Sequence, residues 1–148
     1  MKQTICVLLL VSITLLTSCS KDDDVIPEEI VGNIKDVTKC DLNITPDTFI
    51  AICSDGTDVA SPNEIIKFAS AFYYRWDHSI HTKFTWTVES GSMRIVKVEN
   101  TVDGIIARSI VTVLFYPDFS GNGELKGKAE GFGASAATTR KIELESIE

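Results

Sequence analysis

The sequence predicts an all-β domain, an antiparallel β-sandwich of about seven short strands, and three observations carry that expectation. Phe84-Thr85-Trp86-Thr87-Val88-Glu89 alternates strictly, with Phe84, Trp86 and Val88 on one side and Thr85, Thr87 and Glu89 on the other. A two-residue period is that of a strand with one buried face. Glu124 to Glu130 alternates again, with Glu124, Lys126, Lys128 and Glu130 outward and Leu125, Gly127 and Ala129 inward. Between such runs stand turn residues at fairly regular spacing: Ser54-Asp55-Gly56-Thr57-Asp58, Ser90-Gly91, Asn100 to Gly104, Ser120-Gly121-Asn122-Gly123 and Gly131-Phe132-Gly133. Short strands punctuated in this way are the pattern of a sandwich.

The chain opens with Lys2, followed by an apolar run from Ile5 to Leu16 that only Ser12 and Thr14 interrupt. A charged start, an apolar stretch short for a bilayer span and small residues before a cut make a secretory signal. The closing Leu16-Thr17-Ser18-Cys19 resembles the lipobox of bacterial lipoproteins. That resemblance implies cleavage before Cys19 and attachment of acyl chains, palmitate among them, at this cysteine. Each buried methylene contributes about 0.8 kcal/mol, so several chains anchor a protein firmly. Ser20-Lys21-Asp22-Asp23-Asp24 is, as composition, a solvated and self-repelling tether. It also resembles the acidic tract behind the lipid cysteine of surface-exposed lipoproteins of the Bacteroidetes. By that likeness the protein sits in the outer membrane and faces the cell exterior.

The organisation expected is therefore a signal peptide at 1–18, a lipidated acidic tether at 19–38 and one domain at 39–148. From Ser20 to about Val37 the chain is acidic, contains Pro27 and has no sustained period, so it is expected to lack fixed structure. The remainder suffices for a single core. Lys and Arg number 14 against 21 Asp and Glu, a net charge of −7. Loss of Lys2 with the signal takes the mature chain one unit further. Such a balance excludes nucleic acid as a partner and leaves anchoring to the lipid. Of the four cysteines, Cys6 leaves with the signal and Cys19 carries lipid. Cys40 and Cys53 are then expected to pair in an exported protein, although spacing alone does not fix the distance between them.

Thr48 to Cys53 reads as the first strand. Ser61 to Trp76 is ambiguous. Ser61-Pro62-Asn63-Glu64 has the form of a helix start, and Ile65, Phe68, Ala69, Phe72 and Trp76 fit helical spacing. Read as a strand, Ile66, Phe68 and Phe72 share a face instead. Because the elements after it are strands, a strand ending near Ala71 is expected. Met93 to Glu99 follows, with Val96 and Val98 on one side, and then Ile105 to Phe115, with Ala107, Val111, Val113 and Phe115 inward. Thr138 to Ile147 closes the chain, with Ile142 and Leu144 inward.

Six segments in order carry a family resemblance. They are Asn63 to Phe68, Phe84 to Gly91, Ser109 to Phe115, Phe119 to Leu125, Ala129 to Ser135 and Thr139 to Leu144. Together they resemble the PKD-like and immunoglobulin-like modules of bacterial surface proteins over roughly residues 45 to 147. The resemblance implies an immunoglobulin-like (PKD-like) β-sandwich with a core tryptophan on a central strand. Two departures stand out: Glu89-Ser90-Gly91 replaces the usual Gly-Asp-Gly, and the cysteines lie near the first strand instead of bridging the sheets. Fold carries over from such a likeness and activity does not.

Chemistry concentrates in Tyr73-Tyr74-Arg75-Trp76-Asp77-His78, in the connection before the Trp86 strand. Aromatic faces suit sugar rings, and Arg75 and Asp77 can hydrogen-bond hydroxyls. The alternative is that Tyr73 and Trp76 close the open end of the core. His78 and His81 beside Asp77 have no second ligand cluster in sequence, so no metal is expected. Asp55, Asp58 and Asp103 lack calcium-loop spacing and read as turn residues. No nucleophile elbow, His-Glu-x-x-His or phosphate-cradling loop occurs. The function expected is a non-catalytic, lipid-anchored, surface-exposed binding or adhesion-type module without a cofactor, its partner a glycan or another envelope or host protein. The alternatives are a glycan-capturing lipoprotein of a nutrient-uptake system and, from another class, a small hydrolase.

Overall fold

The computed structural model describes residues 34–76 and 81–146, all within the unit Val31–Glu148. Cys19, the signal segment and the acidic tract lie outside the described residues, as do Asp77 and His78. Eight strands follow in order: β1 (Ile50–Asp55), β2 (Val59–Ala60), β3 (Ile65–Tyr74), β4 (Lys83–Ser90), β5 (Met93–Asp103), β6 (Ile106–Phe115), β7 (Gly123–Gly131) and β8 (Ala134–Leu144). They form two four-stranded sheets, ordered β1-β3-β6-β5 and β2-β8-β7-β4. The two-residue β2 runs parallel to β8, and the other pairs are antiparallel. The fold is a β-sandwich.

The inward faces are those the alternation assigns. Ile66 and Phe68 from β3 and Val111, Val113 and Phe115 from β6 meet Trp86, Leu125 and Ile142 from the other sheet, and Phe72 and Ala107 meet Phe84 and Ala129 in a second cluster. Each such side chain contributes about 1.5–3 kcal/mol by leaving water. Trp86 lies opposite Gly127 in the β4–β7 ladder, and a Cβ at Gly127 would come within 3.0 Å of the indole. The glycine is therefore what lets the ring lie flat across β7. The indole N–H donates to Ser109 Oγ at 2.9 Å, tying the two sheets through the core.

β3 is a strand, yet the helix-start signature does operate locally. The Ser61 N–H donates to Glu64 Oε2 at 2.8 Å, but Asn63 takes φ +66° and turns the chain into β3. The strand continues to Tyr74, past the expected end at Ala71, and both its faces are covered. Ala69 and Ala71 face outward beneath Cys40, with Val37 and Leu42 packed beside them. A strand buried on both sides has no clean alternation, which is why its sequence also fits a helical period.

That outer cover is a strap running from Lys35 to Leu42. β1 ends at Asp55, opposite Ala69, so Lys67, paired with Thr112 of β6 on one side, has no strand beside it on the β1 side. The strap fills the gap: Val37 N–H donates to the Lys67 carbonyl at 3.0 Å, and Lys67 N–H donates to Asp36 Oδ1 at 2.8 Å. Lys35 to Val37, expected in the unstructured tether, are thus packed on the domain. Cys40 and Cys53 are disulfide-bonded with their Cα atoms 6.1 Å apart.

Other boundaries shift for identifiable reasons. β5 runs on to Asp103, because Gly104 and Ile105 alone make the hairpin and Asp103 pairs with Ile106. A bulge between Ile95 and Lys97 resets its alternation, and Val98 is exposed. β8 begins at Ala134, since Gly133 at φ +87° closes a two-residue turn that pairs Ala134 with Gly131. Leu144, expected inward, is exposed. It lies beyond the last β7–β8 pair, Gly123 with Ile142, and is paired with Ala60 of the short β2.

Candidate functional site

The register of the strands defines two ends of the sandwich. One, the base, gathers the start of β3, the ends of β6 and β8 and the start of β7. The other, the tip, gathers the start of β1, the end of β3, the start of β4 and the hairpins β5–β6 and β7–β8.

At the base, the Lys35 ammonium donates to Glu64 Oε2 at 2.9 Å and to Glu145 Oε2 at 2.6 Å. Ser61 Oγ donates to the same Glu145 oxygen at 2.7 Å. Burial works against the Lys35 charge, but the bonds to Glu145 and Glu64 prevail and hold its pKa above the ordinary value. Glu145 is held below the ordinary carboxylate value by the Lys35 bond first and the Ser61 bond second. The described chain therefore enters the domain through an ionic clasp at the base. It then follows β3 along the strap to the tip, where Thr45 to Thr48 make a turn held by the Thr48 N–H bond to the Thr45 carbonyl.

At the tip, three aromatic rings gather on the ends of β1 and β3. Phe49 and Tyr74 meet edge to face at 5.2 Å between ring centroids, and Phe49 and Trp76 do so at 6.4 Å. Trp76 is 71% exposed and Phe49 48%. Arg75 fixes the group in place: its N–H donates to the Phe49 carbonyl at 2.9 Å, and its guanidinium donates to the Pro46 carbonyl. Both bonds hold the segment preceding β1 against the end of β3, so the rings stand on a rigid support. Ile105 and Phe132, in the two hairpins at this end, are also exposed.

The aromatic run singled out in sequence is divided by the strand. Tyr73 is buried, Tyr74 is half-buried, and Arg75 and Trp76 are exposed. Trp76 does not close the core. Phe49, which the pattern of Thr48 to Cys53 places inside the first strand, stands just before β1 and is the ring that joins Tyr74 and Trp76; a lone aromatic before an apolar run gives no signal of this. His81 is exposed. Asp58 pairs with Arg140 at 2.5 Å and Asp103 with Arg108 at 3.3 Å, while Asp55 Oδ1 accepts the Gly56 N–H at 2.8 Å. Among the described residues no group of three His, Cys, Asp or Glu side chains is placed to hold a metal.

No family model matches the chain, and no curated protein matches it. What the geometry offers is an exposed aromatic platform at the tip, at the end opposite the Lys35 clasp.

Proposed function

We propose that this protein is a lipid-anchored, surface-exposed module of the immunoglobulin-like (PKD-like) kind that binds without catalysis through its tip. The observation that carries the proposal is the polarity of the domain. A chain tethered by lipid at Cys19 reaches the fold at the Lys35 clasp, and the exposed rings of Trp76 and Phe49 stand at the far end. Anchored there, the domain holds its aromatic platform away from the membrane.

The strand order supports the fold assignment. The orders β1-β3-β6-β5 and β2-β8-β7-β4 correspond to the A-B-E-D and G-F-C sheets of an immunoglobulin sandwich, with β2 as a short additional strand beside the last. Trp86 stands on the strand that carries the core tryptophan in that scheme. The loops at one end of such sandwiches are where binding residues gather.

The exposure of Trp76 favours one ligand class, glycans, whose rings stack on aromatic faces, with Arg75 beside it as a donor. The test is a glycan-array screen with the full-length chain and its Trp76→Ala variant. Binding that vanishes in the variant, with an unchanged melting temperature, supports capture at the tip. A ligand held equally well by Trp76→Ala refutes the tip as the site. A silent array directs the search to envelope or host proteins, sought by crosslinking on intact cells.

A further inference from the structure

β8 has one edge that the domain leaves open. On one side it pairs with β7, from Ala134 opposite Gly131 to Ile142 opposite Gly123, without a bulge. On the other side β2 pairs with Glu143 and Leu144 alone, and the Arg140 side chain reaches to Asp58 and to the Ser54 carbonyl of β1. The N–H groups of Glu143 and Glu145 donate towards β2, to the carbonyls of Asp58 at 2.8 Å and Ala60 at 3.0 Å. Backbone groups alternate in direction along a strand. The N–H and C=O of Ser135, Ala137, Thr139 and Lys141 therefore point outward along the uncovered edge.

The other sheet edges of the described chain carry the devices that discourage strand addition. β5 has a bulge at Ile95/Lys97 and the charged pair Lys97 and Glu99. β4 has a bulge at Val88/Ser90 and carries Lys83 and Glu89. β1 is six residues long, and the exposed backbone of β3 is closed by Asp36 and Val37. β8 from Ala134 to Thr139 has no charge, no proline and no bulge.

We propose that this edge pairs antiparallel with β8 of a second copy of the chain, joining two sheets into one. A two-fold axis at Thr138 places Ser135 opposite Lys141 and Ala137 opposite Thr139. Residues with outward backbone groups then face one another, as an antiparallel ladder requires. Arg140 falls opposite Ala136, so no like charges meet. Thr138 faces its own copy in a pair without backbone hydrogen bonds, where side chains approach most closely. Its Oγ1 is buried and has no hydrogen-bond partner, and rotation about χ1 lets the two hydroxyls bond to each other. This self-complementarity selects a second copy over an unrelated strand.

The pairing has a direction. Antiparallel β8 strands send the two bases opposite ways. On the surface-display reading, on which this one consequence rests, the partners stand on opposed surfaces and not side by side. One strand pair is small beside the roughly 1,600 Å² of a standard interface, so adhesion arises from many copies acting together.

The test is sedimentation of the full-length chain in detergent over a range of concentrations. Wild type is expected to show a concentration-dependent dimer. Ala137→Lys with Thr139→Lys sets lysines opposite one another and weakens the dimer at least about tenfold, with an unchanged melting temperature because both side chains are exposed. Under mild oxidation Thr138→Cys gives a covalent dimer, and Thr101→Cys on the β5 edge does not. A wild-type monomer at every concentration overturns the proposal, as does a lysine variant that dimerises like wild type, or crosslinking at Thr101 equal to that at Thr138. A monomer that still loses its ligand in Trp76→Ala leaves the tip reading intact.

Discussion

Replacing Ser109 with alanine takes away the acceptor of the Trp86 indole N–H without touching an apolar contact of the ring. The bond is 2.9 Å long, Ser109 is fully buried and Trp86 is 8% exposed, so water has no ready access to the orphaned donor. A buried donor without a partner costs about 1–3 kcal/mol, and Ser109→Ala is expected to lose that much. Trp86→Phe removes the donor and also part of the ring that lies over Gly127, so its loss adds a packing term. The double variant has neither polar atom to satisfy. Its loss should fall short of the sum of the two single losses by about 1 kcal/mol. Urea unfolding followed by near-ultraviolet circular dichroism measures all four proteins, and an unchanged slope with denaturant confirms that the unfolded states are comparable. A Ser109→Ala loss below about 0.5 kcal/mol, or strict additivity, would refute the idea that this bond ties the sheets.

Gly127→Ala forces a Cβ to within 3.0 Å of the same indole, and a loss of about 1–3 kcal/mol is expected in the same assay. Removing the Cys40–Cys53 bond, which spans 13 positions, by Cys40→Ser with Cys53→Ser should cost about 3 kcal/mol. It should also speed amide exchange at Val37 and Lys67 ahead of the rest of β3. The clasp makes stability depend on pH at both extremes. Glu145 titrates below its ordinary value of 4.5, so its contribution is present above that pH and fades as pH falls through the folded-state pKa. Lys35 titrates above its ordinary 10.5, so its contribution is present below that pH and fades as pH rises through the folded-state pKa. Lys35→Met should flatten both limbs in a series of thermal melts. Trp76→Ala, at an exposed site, should shift stability by no more than about 0.5 kcal/mol.

Much of the frame was legible wherever one face of a strand meets water. Phe84, Trp86 and Val88, and Leu125, Gly127 and Ala129, alternate because polar neighbours mark the other side. β3 was harder to read for the opposite reason: the strap buries Ala69 and Ala71 on its outer face and erases the alternation. The strap itself, with Lys35, Asp36 and Val37, has the composition of a linker and is held by backbone and ionic partners far away in sequence. β2 is two residues long and defined wholly by its distant partner β8. At the tip, the cluster of Tyr74, Arg75 and Trp76 was visible as a run of aromatic and charged residues. Its division was not, since Tyr73 turns to the outer face of β3 and is buried. Phe49 joined the group only through the pairing of Ile50 with Tyr74.

On the proposed surface display, the base faces the membrane and the tip faces outward. This orientation is tested most directly by labelling intact cells with a membrane-impermeant maleimide, using full-length Trp76→Cys and Lys35→Cys. Rapid modification is expected at position 76 and slow modification at position 35, where the side chain is enclosed by Glu64 and Glu145. Position 76 labelled only after the cells are broken would contradict it.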